Sequence, residues 1–340
     1  MAITIHDVAR RARVSVATVS RALAEPRLLR ERTLRRVLAA AEQLAYRPNP
    51  AARSLITGRT GNIGIIVPDL DNPFYPSVLR GAQARAHQAG NAVLLADSHE
   101  NAGAEVSLVH TMAKQVDGVI ICAPFATDAQ LKKLAAGVPL VLVNRRCGDI
   151  PAALMEIAHG MREVVQHLHG LGHRRCVYLA GPASAWSNRE RLRGLRAAAR
   201  STKMTLLESG PFEPKFESGI AAADEALESG ATAIVAYNDL MALGVLSRLA
   251  TRGVRVPQQM SVVGFDDLLF AAMCAPPLTT VAMPMEAAGH AAVDLLLARL
   301  AGTQPANARQ QLRLPTQLCL RATTAAPFTR PARSRRSGPR

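Results

Sequence analysis

Three pairs of polar side chains stand where short apolar runs end: Asn144 with Arg145, Asn238 with Asp239, and Asp266 with Asp267. A further guanidinium, Arg191, begins a helical stretch after Gly181-Pro182. Planar amides, carboxylates and a forked guanidinium at such positions suit the binding of vicinal hydroxyls. An aromatic side chain, Phe74 or Tyr75, suits the apolar face of a ring. The competing reading is structural. Asn238 or Asp239 before Leu240 is a natural helix N-cap, and Asp266 can close a turn. The residues alone leave both readings open. No catalytic pattern competes with them: G-x-S-x-G, H-E-x-x-H, the P-loop and G-x-G-x-x-G are all missing from the chain. His167, His169 and His173 invite a metal reading. Positions two apart leave a helix on different sides, however, and no thiol or carboxylate stands nearby at ligand spacing. The expectation is therefore no enzyme, no metal and no cofactor.

The elements that must position these residues alternate in type. Apolar runs at 63–67, 92–95, 118–122 and 140–143 precede Asn144, and runs at 176–179, 233–236 and 262–265 follow it. Helical stretches such as 78–88, 162–169, 191–199 and 240–251 lie between them. Continuous apolar strands separated by helices imply βαβ units and parallel sheets covered on both faces. Two similar α/β lobes with a cleft between them are expected, with ligands bound beyond the carboxyl ends of the strands.

Composition supports a sizeable core, with 49% hydrophobic residues in 340. There is no basic start followed by an apolar stretch and no run of 18 apolar residues, so neither a signal peptide nor a membrane span is expected. Five dispersed cysteines without a C-x-x-C read as reduced thiols of a cytoplasmic protein. The net charge of +15 sits at the ends: residues 1–60 carry +8, residues 327–340 carry +5, and the remainder only +2. An end that meets a polyanion and a body with another task fit that distribution.

The basic N-terminal end holds two short helices. Thr4 with Asp7 three residues later is a capping signature, and Ile5, Val8, Ala9 and Ala12 share one helical face. Ser15 can cap a second helix, on which Val19, Ala22 and Leu23 face inward. Val16, Ala17, Ser20 and Arg21 lie on the opposite face. Short side chains there let a helix approach a major groove closely, and Arg can reach guanine edges. A third helix, roughly 30–45, carries the stripe Leu34, Val37, Leu38, Ala41 and Leu44.

The run Ile5-x-Asp-Val-Ala-x-x-Ala-x-Val-Ser-x-Ala-Thr-Val-Ser-Arg21 resembles the DNA-binding segment of the LacI/GalR repressor family. It departs at Arg13, where that family usually has Gly. A non-glycine residue in a left-handed turn costs on the order of 1 kcal/mol. Arg30 stands where the family places a Ser N-cap. The resemblance extends over about residues 3–326, through Arg47-Pro-Asn with Ala52-Arg-Ser-Leu55, Gly64-Ile-Ile-Val-Pro-Asp69, Tyr237-Asn-Asp239 and Ser261-Val-Val-Gly-Phe-Asp-Asp267.

The resemblance implies an all-α helix-turn-helix headpiece (1–46), a hinge (47–60), and an α/β two-lobed, periplasmic-binding-protein-like effector domain with parallel sheets (61–326). A disordered basic tail (327–340) follows. It implies a DNA-binding set of Thr4, Ser15, Val16, Ala17, Thr18, Ser20, Arg21 and the minor-groove wedge Leu55. The effector set is Phe74, Asn144, Arg145, Arg191, Asn238 and Asp266. The expected partners are double-stranded DNA with a palindromic operator, a small sugar-like effector and a second copy in a homodimer, with no membrane. Many members carry Asp where Asn144 stands and Gln where Met283 stands. Losing the Gln implies an effector less polar than a simple hexose or pentose, or one bound from fewer sides, and the alternative is a non-sugar effector such as a nucleoside or purine. A solute-binding protein without a DNA role, the rival from another class, would need a signal peptide and no headpiece.

Overall fold

The chain forms two compact units, residues 1–61 and 62–340. The computed structural model describes residues 3–24, 26–46, 58–302 and 311–327. Most of the expected hinge, including Leu55, and the expected tail from 328 onward lie outside the described residues. No helix among the described residues is long and apolar enough to cross a membrane.

In the first unit, α1 (Ile5–Ala12), α2 (Val16–Ala24) and α3 (Glu31–Gln43) surround a small core, with a 3-10 turn at Pro26–Leu28. The Asp7 carboxylate accepts the Thr4 N–H at 2.9 Å and the Thr4 hydroxyl at 2.7 Å, which pins the start of α1. Arg13 ends that helix at φ 51°, and the next N–H, of Val14, reaches back to the Ala9 carbonyl at 3.0 Å. The left-handed strain expected at Arg13 is present, and Arg36 of α3 steadies the turn by donating to the Arg13 carbonyl at 3.2 Å. Val8, Ala12, Val19, Ala22, Val37 and Ala41 are buried. Leu38, expected on the inward stripe of α3, is exposed instead, and Ala40 is buried in that layer. Three and four residues from Val37 fall at 40 and 41, so 38 turns outward. Arg30 makes no side-chain cap, as its replacement of Ser implies.

The second unit begins with β1 (Asn62–Val67), α4 (Phe74–Gln88), β2 (Ala92–Asp97), α5 (Ala102–Met112), β3 (Gly118–Cys122), α6 (Asp128–Gly137), β4 (Leu140–Val143) and β5 (Ala152–Met155). The chain crosses to a second lobe made of α7 (Ile157–Gly170), β6 (Arg175–Leu179), α8 (Trp186–Thr202), β7 (Thr205–Ser209), α9 (Phe216–Glu228), β8 (Ala233–Ala236), α10 (Asp239–Thr251), β9 (Ser261–Val263) and α11 (Leu269–Met273). After β10 (Thr280–Ala282) it returns through α12 (Met285–Leu300) and β11 (Gln311–Leu314) to the first lobe. A last crossing leads into β12 (Gln317–Cys319), antiparallel to β10.

The first-lobe sheet has the order β11-β5-β4-β3-β1-β2 and the second β7-β6-β8-β9, every neighbour parallel. β3, β4 and β8 are buried along their whole length, which is why they read as unbroken apolar runs. The returning α12 lies against α4 through glycines. A Cβ on Gly81 would come within 1.9 Å of the Glu286 carbonyl oxygen, and one on Gly289 within 1.9 Å of that of Val78. That close backbone approach binds the C-terminal return to the first lobe.

Candidate functional site

Each unit carries one candidate surface. On the headpiece, α2 buries Val19 and Ala22 and leaves Ala17 and Arg21 exposed, with Val16, Thr18 and Ser20 half-buried. Ser15 fulfils the expected cap: its Oγ accepts the Thr18 N–H at 3.1 Å and lies 2.9 Å from the Thr18 hydroxyl. Thr4 is likewise committed to Asp7, whose own pKa is lowered chiefly by the Thr4 backbone N–H. The α2 residues free to meet a ligand are thus Ala17, Ser20 and Arg21, flanked by Val16.

In the second unit, strand ends of both lobes converge on one cavity. The first lobe contributes Asn72, Phe74, Tyr75, Ala123 and Asn144, and the second Ser187, Arg191, Tyr237, Asn238 and Asp266. Five of the six expected effector residues therefore meet there. The free space between them is about 20 Å3, enough for roughly one water molecule.

Arg191 is the centre of the second-lobe half. Its Nη2 donates to Asp266 Oδ1 at 3.2 Å, and its guanidinium lies between the rings of Tyr237 (4.3 Å) and Phe265 (4.1 Å). Both members of the ion pair are buried, and Arg191 Nε and Nη1 have no hydrogen-bond partner among the described residues. Burial pushes the Asp266 carboxyl well above the usual carboxylate range, while Arg191 pulls it down. Tyr237 can lie against the guanidinium because residue 181 is glycine: a Cβ there would be 2.5 Å from its ring. The Tyr237 hydroxyl is 2.7 Å from Ser187 Oγ.

The first-lobe half is aromatic and amide. Phe74 and Tyr75 meet edge to face with centroids 5.1 Å apart. Asn72 holds the start of α4 by accepting the Phe74 N–H at 3.0 Å. Asn144 follows β4 at φ 55°, and its buried Oδ1 has no partner among the described residues. Ala123, after β3, is also left-handed at φ 41°.

Asn238 satisfies both readings at once. It lines the cavity, yet its Oδ1 caps α10 by accepting the Met241 N–H at 3.0 Å, and its Nδ2 donates to the Pro214 carbonyl at 3.0 Å. Arg145 corrects the expectation: it does not line the cavity. Its side chain turns into the β3–α6 loop, donating to the Pro124 carbonyl at 2.6 Å and to Asp128 at 2.7 Å. Asn144 is left-handed and ends the strand facing the cavity, while Arg145 is committed to the loop, so the two do not share one task. Glu105 clamps the same loop by accepting the N–H groups of Phe125 and Ala126, both at 2.8 Å. Together they fix the segment that presents Ala123.

Asn72, Ala123, Ser187 and Tyr237 were missed in the sequence. The signal for Tyr237 was its place beside Asn238 at a strand end; Ala123 and Ser187 carry no distinctive side chain. His167 and His173 have structural partners. His173 Nε2 donates to the Ala325 carbonyl at 2.9 Å and Nδ1 faces the Thr232 hydroxyl at 2.8 Å, while His167 Nε2 faces Thr324 at 2.9 Å.

With this geometry in place, comparisons with known proteins assign the chain. Residues 4–49 match the family described as bacterial regulatory proteins, lacI family, and residues 165–324 a periplasmic binding protein-like domain. The HTH-type transcriptional regulator DegA of Bacillus subtilis is 30% identical over 96% of this chain and 99% of its own length. The HTH-type transcriptional repressor CytR of Escherichia coli is 32% identical over 96% of this chain and 97% of its own. The lac repressor dimer bound to operator and the anti-inducer ONPF superposes with a TM-score of 0.85 at 30% identity, covering 96% of this chain and all of that one. A helix-turn-helix unit ahead of a two-lobed parallel α/β body, and full-length relatives that regulate transcription, lead to one conclusion: the chain belongs to the lacI family of DNA-binding transcriptional regulators.

Proposed function

We propose that this regulator is a homodimeric repressor whose operator affinity is set by a small sugar-like effector held between the lobes, and that it has no enzymatic activity. The carrying observation is the set of buried, unpaired polar atoms facing one cavity from both lobes: Asn144 Oδ1 on one side, Arg191 Nε and Nη1 on the other. Buried polar groups without partners are costly, and hydroxyls of a bound ligand would satisfy both an acceptor and two donors. Phe74, Arg191, Asn238, Asp266 and Asn144 then form the effector site. Thr4, Ser15, Val16, Ala17, Thr18, Ser20 and Arg21 form the operator face, with Leu55 as the wedge.

In this reading the headpiece (1–46) reads a half-site of a palindromic operator in the cytoplasm, and the hinge (47–60) connects it to the effector domain (61–326). The tail (327–340) adds salt-dependent affinity for DNA. A second copy would cover the exposed apolar side chains Leu269 (73%), Phe270 and Met273 (70%) of α11 with Phe216 of α9. A nucleoside or purine effector is the second reading, favoured by the rings of Phe74, Tyr75 and Tyr237 around the cavity.

Thermal-shift screening of sugars, polyols, nucleosides and purines, followed by operator titration with each hit, tests the proposal. The expected result is a hit that changes operator affinity in the wild type and not in Asp266→Ala. A hit whose effect survives Asp266→Ala unchanged would remove this cavity from the mechanism.

A further inference from the structure

Helix α8 turns a second face toward another pocket. Ser187 and Arg191 look into the interlobe cavity, whereas Trp186, Glu190 and Arg193 line a separate space of about 280 Å3. The first lobe supplies Arg146, Met155 and Arg313 to that space, and α7 supplies Ile157, Ala158 and Arg162. Four arginines from four segments thus converge on one pocket, against the two carboxylates Glu156 and Glu190. Glu190 is already taken by Arg193 in an ion pair. Arg162 donates to Nδ1 of His159 at 3.1 Å. Arg146 and Arg313 form no ion pair among the described residues.

The first turn of α7 opens into the same space. Its leading N–H groups, on Ile157 and Ala158, have no carbonyl available within their own helix, and the N-cap residue Glu156 makes no side-chain cap. Such a helix start favours an anion. The half-buried Trp186 ring adds an apolar wall.

We propose that this pocket is a second ligand site, separate from the interlobe cavity, that takes a small phosphate ester. Guanidinium forks match the oxygens of a phosphate two at a time. The two arginines without a carboxylate, the open helix start and the flat ring supply what a phosphate and a short carbon skeleton require. The volume is at the small end of ligand pockets, which excludes large cofactors. Because the walls come from both lobes, a bound ester joins them on the side where the chain crosses.

Trp186 is the only tryptophan of the protein, so its fluorescence reports this pocket directly. The full-length protein is titrated with glycerol 3-phosphate and with inorganic pyrophosphate, against sodium chloride at matched ionic strength. The expected result is a saturable change with both phosphates and none with chloride. Arg146→Ala and Arg313→Ala, at exposed positions, should each raise Kd about tenfold without altering the thermal unfolding midpoint. Arg174→Ala, at an exposed arginine that lines neither pocket, should leave Kd unchanged. The proposal falls if neither phosphate gives a saturable response, or if chloride gives the same one. It also falls if pyrophosphate alone responds, leaving an adventitious ion only, or if Arg174→Ala abolishes the response while Arg146→Ala does not.

Discussion

Replacing Arg191 by alanine removes the counter-charge of a carboxylate that water does not reach. Arg191 and Asp266 are each about 3% exposed, and the pair is closed by the rings of Tyr237 and Phe265. Removing one partner of a buried pair costs roughly 3–5 kcal/mol. Two lost ring contacts add roughly 0.5–2 kcal/mol each. The sum is a large part of the roughly 5–15 kcal/mol that holds a typical domain folded. Asp266 decides how the loss depends on pH. Burial already raises its pKa, and Arg191 is the group that lowers it, so the variant raises it further. A carboxyl whose folded pKa exceeds its unfolded value contributes stability that is fully present below the unfolded pKa and lost as pH rises through the folded one. The deficit of Arg191→Ala against wild type should therefore be smallest in acid, where only the ring contacts are lost, and should grow as pH rises toward neutral and beyond, by up to ~1.4 kcal/mol per pH unit. Urea unfolding of both proteins across that range measures it. Adding Asp266→Asn to Arg191→Ala should recover much of the loss at the alkaline end of that range, since no buried charge then remains. A deficit that is constant with pH, or that Asp266→Asn does not relieve, would refute the argument that the charge of Asp266 is what Arg191 compensates.

Three further outcomes are expected. Arg21→Ala should weaken operator binding by ~1–3 kcal/mol and relax the preference at one base pair, measured by titration against an operator series. Burial raises the Asp239 carboxyl to about 6 despite hydrogen bonds from Thr280 and the Leu268 N–H. Its contribution of about 3 kcal/mol is therefore present below pH ~4 and lost as pH rises through about 6, and Asp239→Asn should flatten the unfolding free energy over that window. Met273→Lys places a charge on the exposed apolar face of α11 and should shift sedimentation from dimer toward monomer; an unchanged dimer would move the interface elsewhere.

The sequence disclosed what buried regular elements impose on it. β1, β3, β4, β6 and β8 are covered on both sides, so each appears as an apolar run. β7 has an exposed-to-intermediate pattern without alternation, and β11 is largely exposed, so neither left such a run. Helix α12 is rich in alanine and meets α4 through glycine, so small residues hide its inward face from a reading based on large apolar ones. At the cavity, chemistry was legible and direction was not. Asn144 and Arg145 looked equivalent as neighbours at one strand end. Only the positive φ of Asn144 and the carbonyl of Pro124 reveal that one faces the cavity and the other a loop. Arg13 is the opposite case: a departure from a familiar turn residue predicted a left-handed strain that the backbone carries.

The two halves of the cavity differ in kind, and that difference bears on how a ligand would act. The ion pair, Tyr237, Asn238 and Ser187 all belong to the second lobe, so lobe separation leaves the Arg191–Asp266 contact intact. Asn72, Phe74, Tyr75, Ala123 and Asn144 belong to the first lobe and would move away together. Their frame is set by backbone bonds: Ala123 donates to Val143 at 2.8 Å and Asn144 to Ala153 at 2.8 Å, which hold both in left-handed conformations that cost of order 1–3 kcal/mol each. Strain kept by strand pairing, not by contact across the cleft, survives opening. Both halves are then preorganised before a ligand arrives. About 20 Å3 does not admit a ring-sized molecule, so a ligand that satisfies both halves at once must set a new spacing between them. Its binding energy is spent on lobe spacing and not on ordering side chains, and lobe spacing is the variable through which a coupling of ~1–3 kcal/mol can reach the operator.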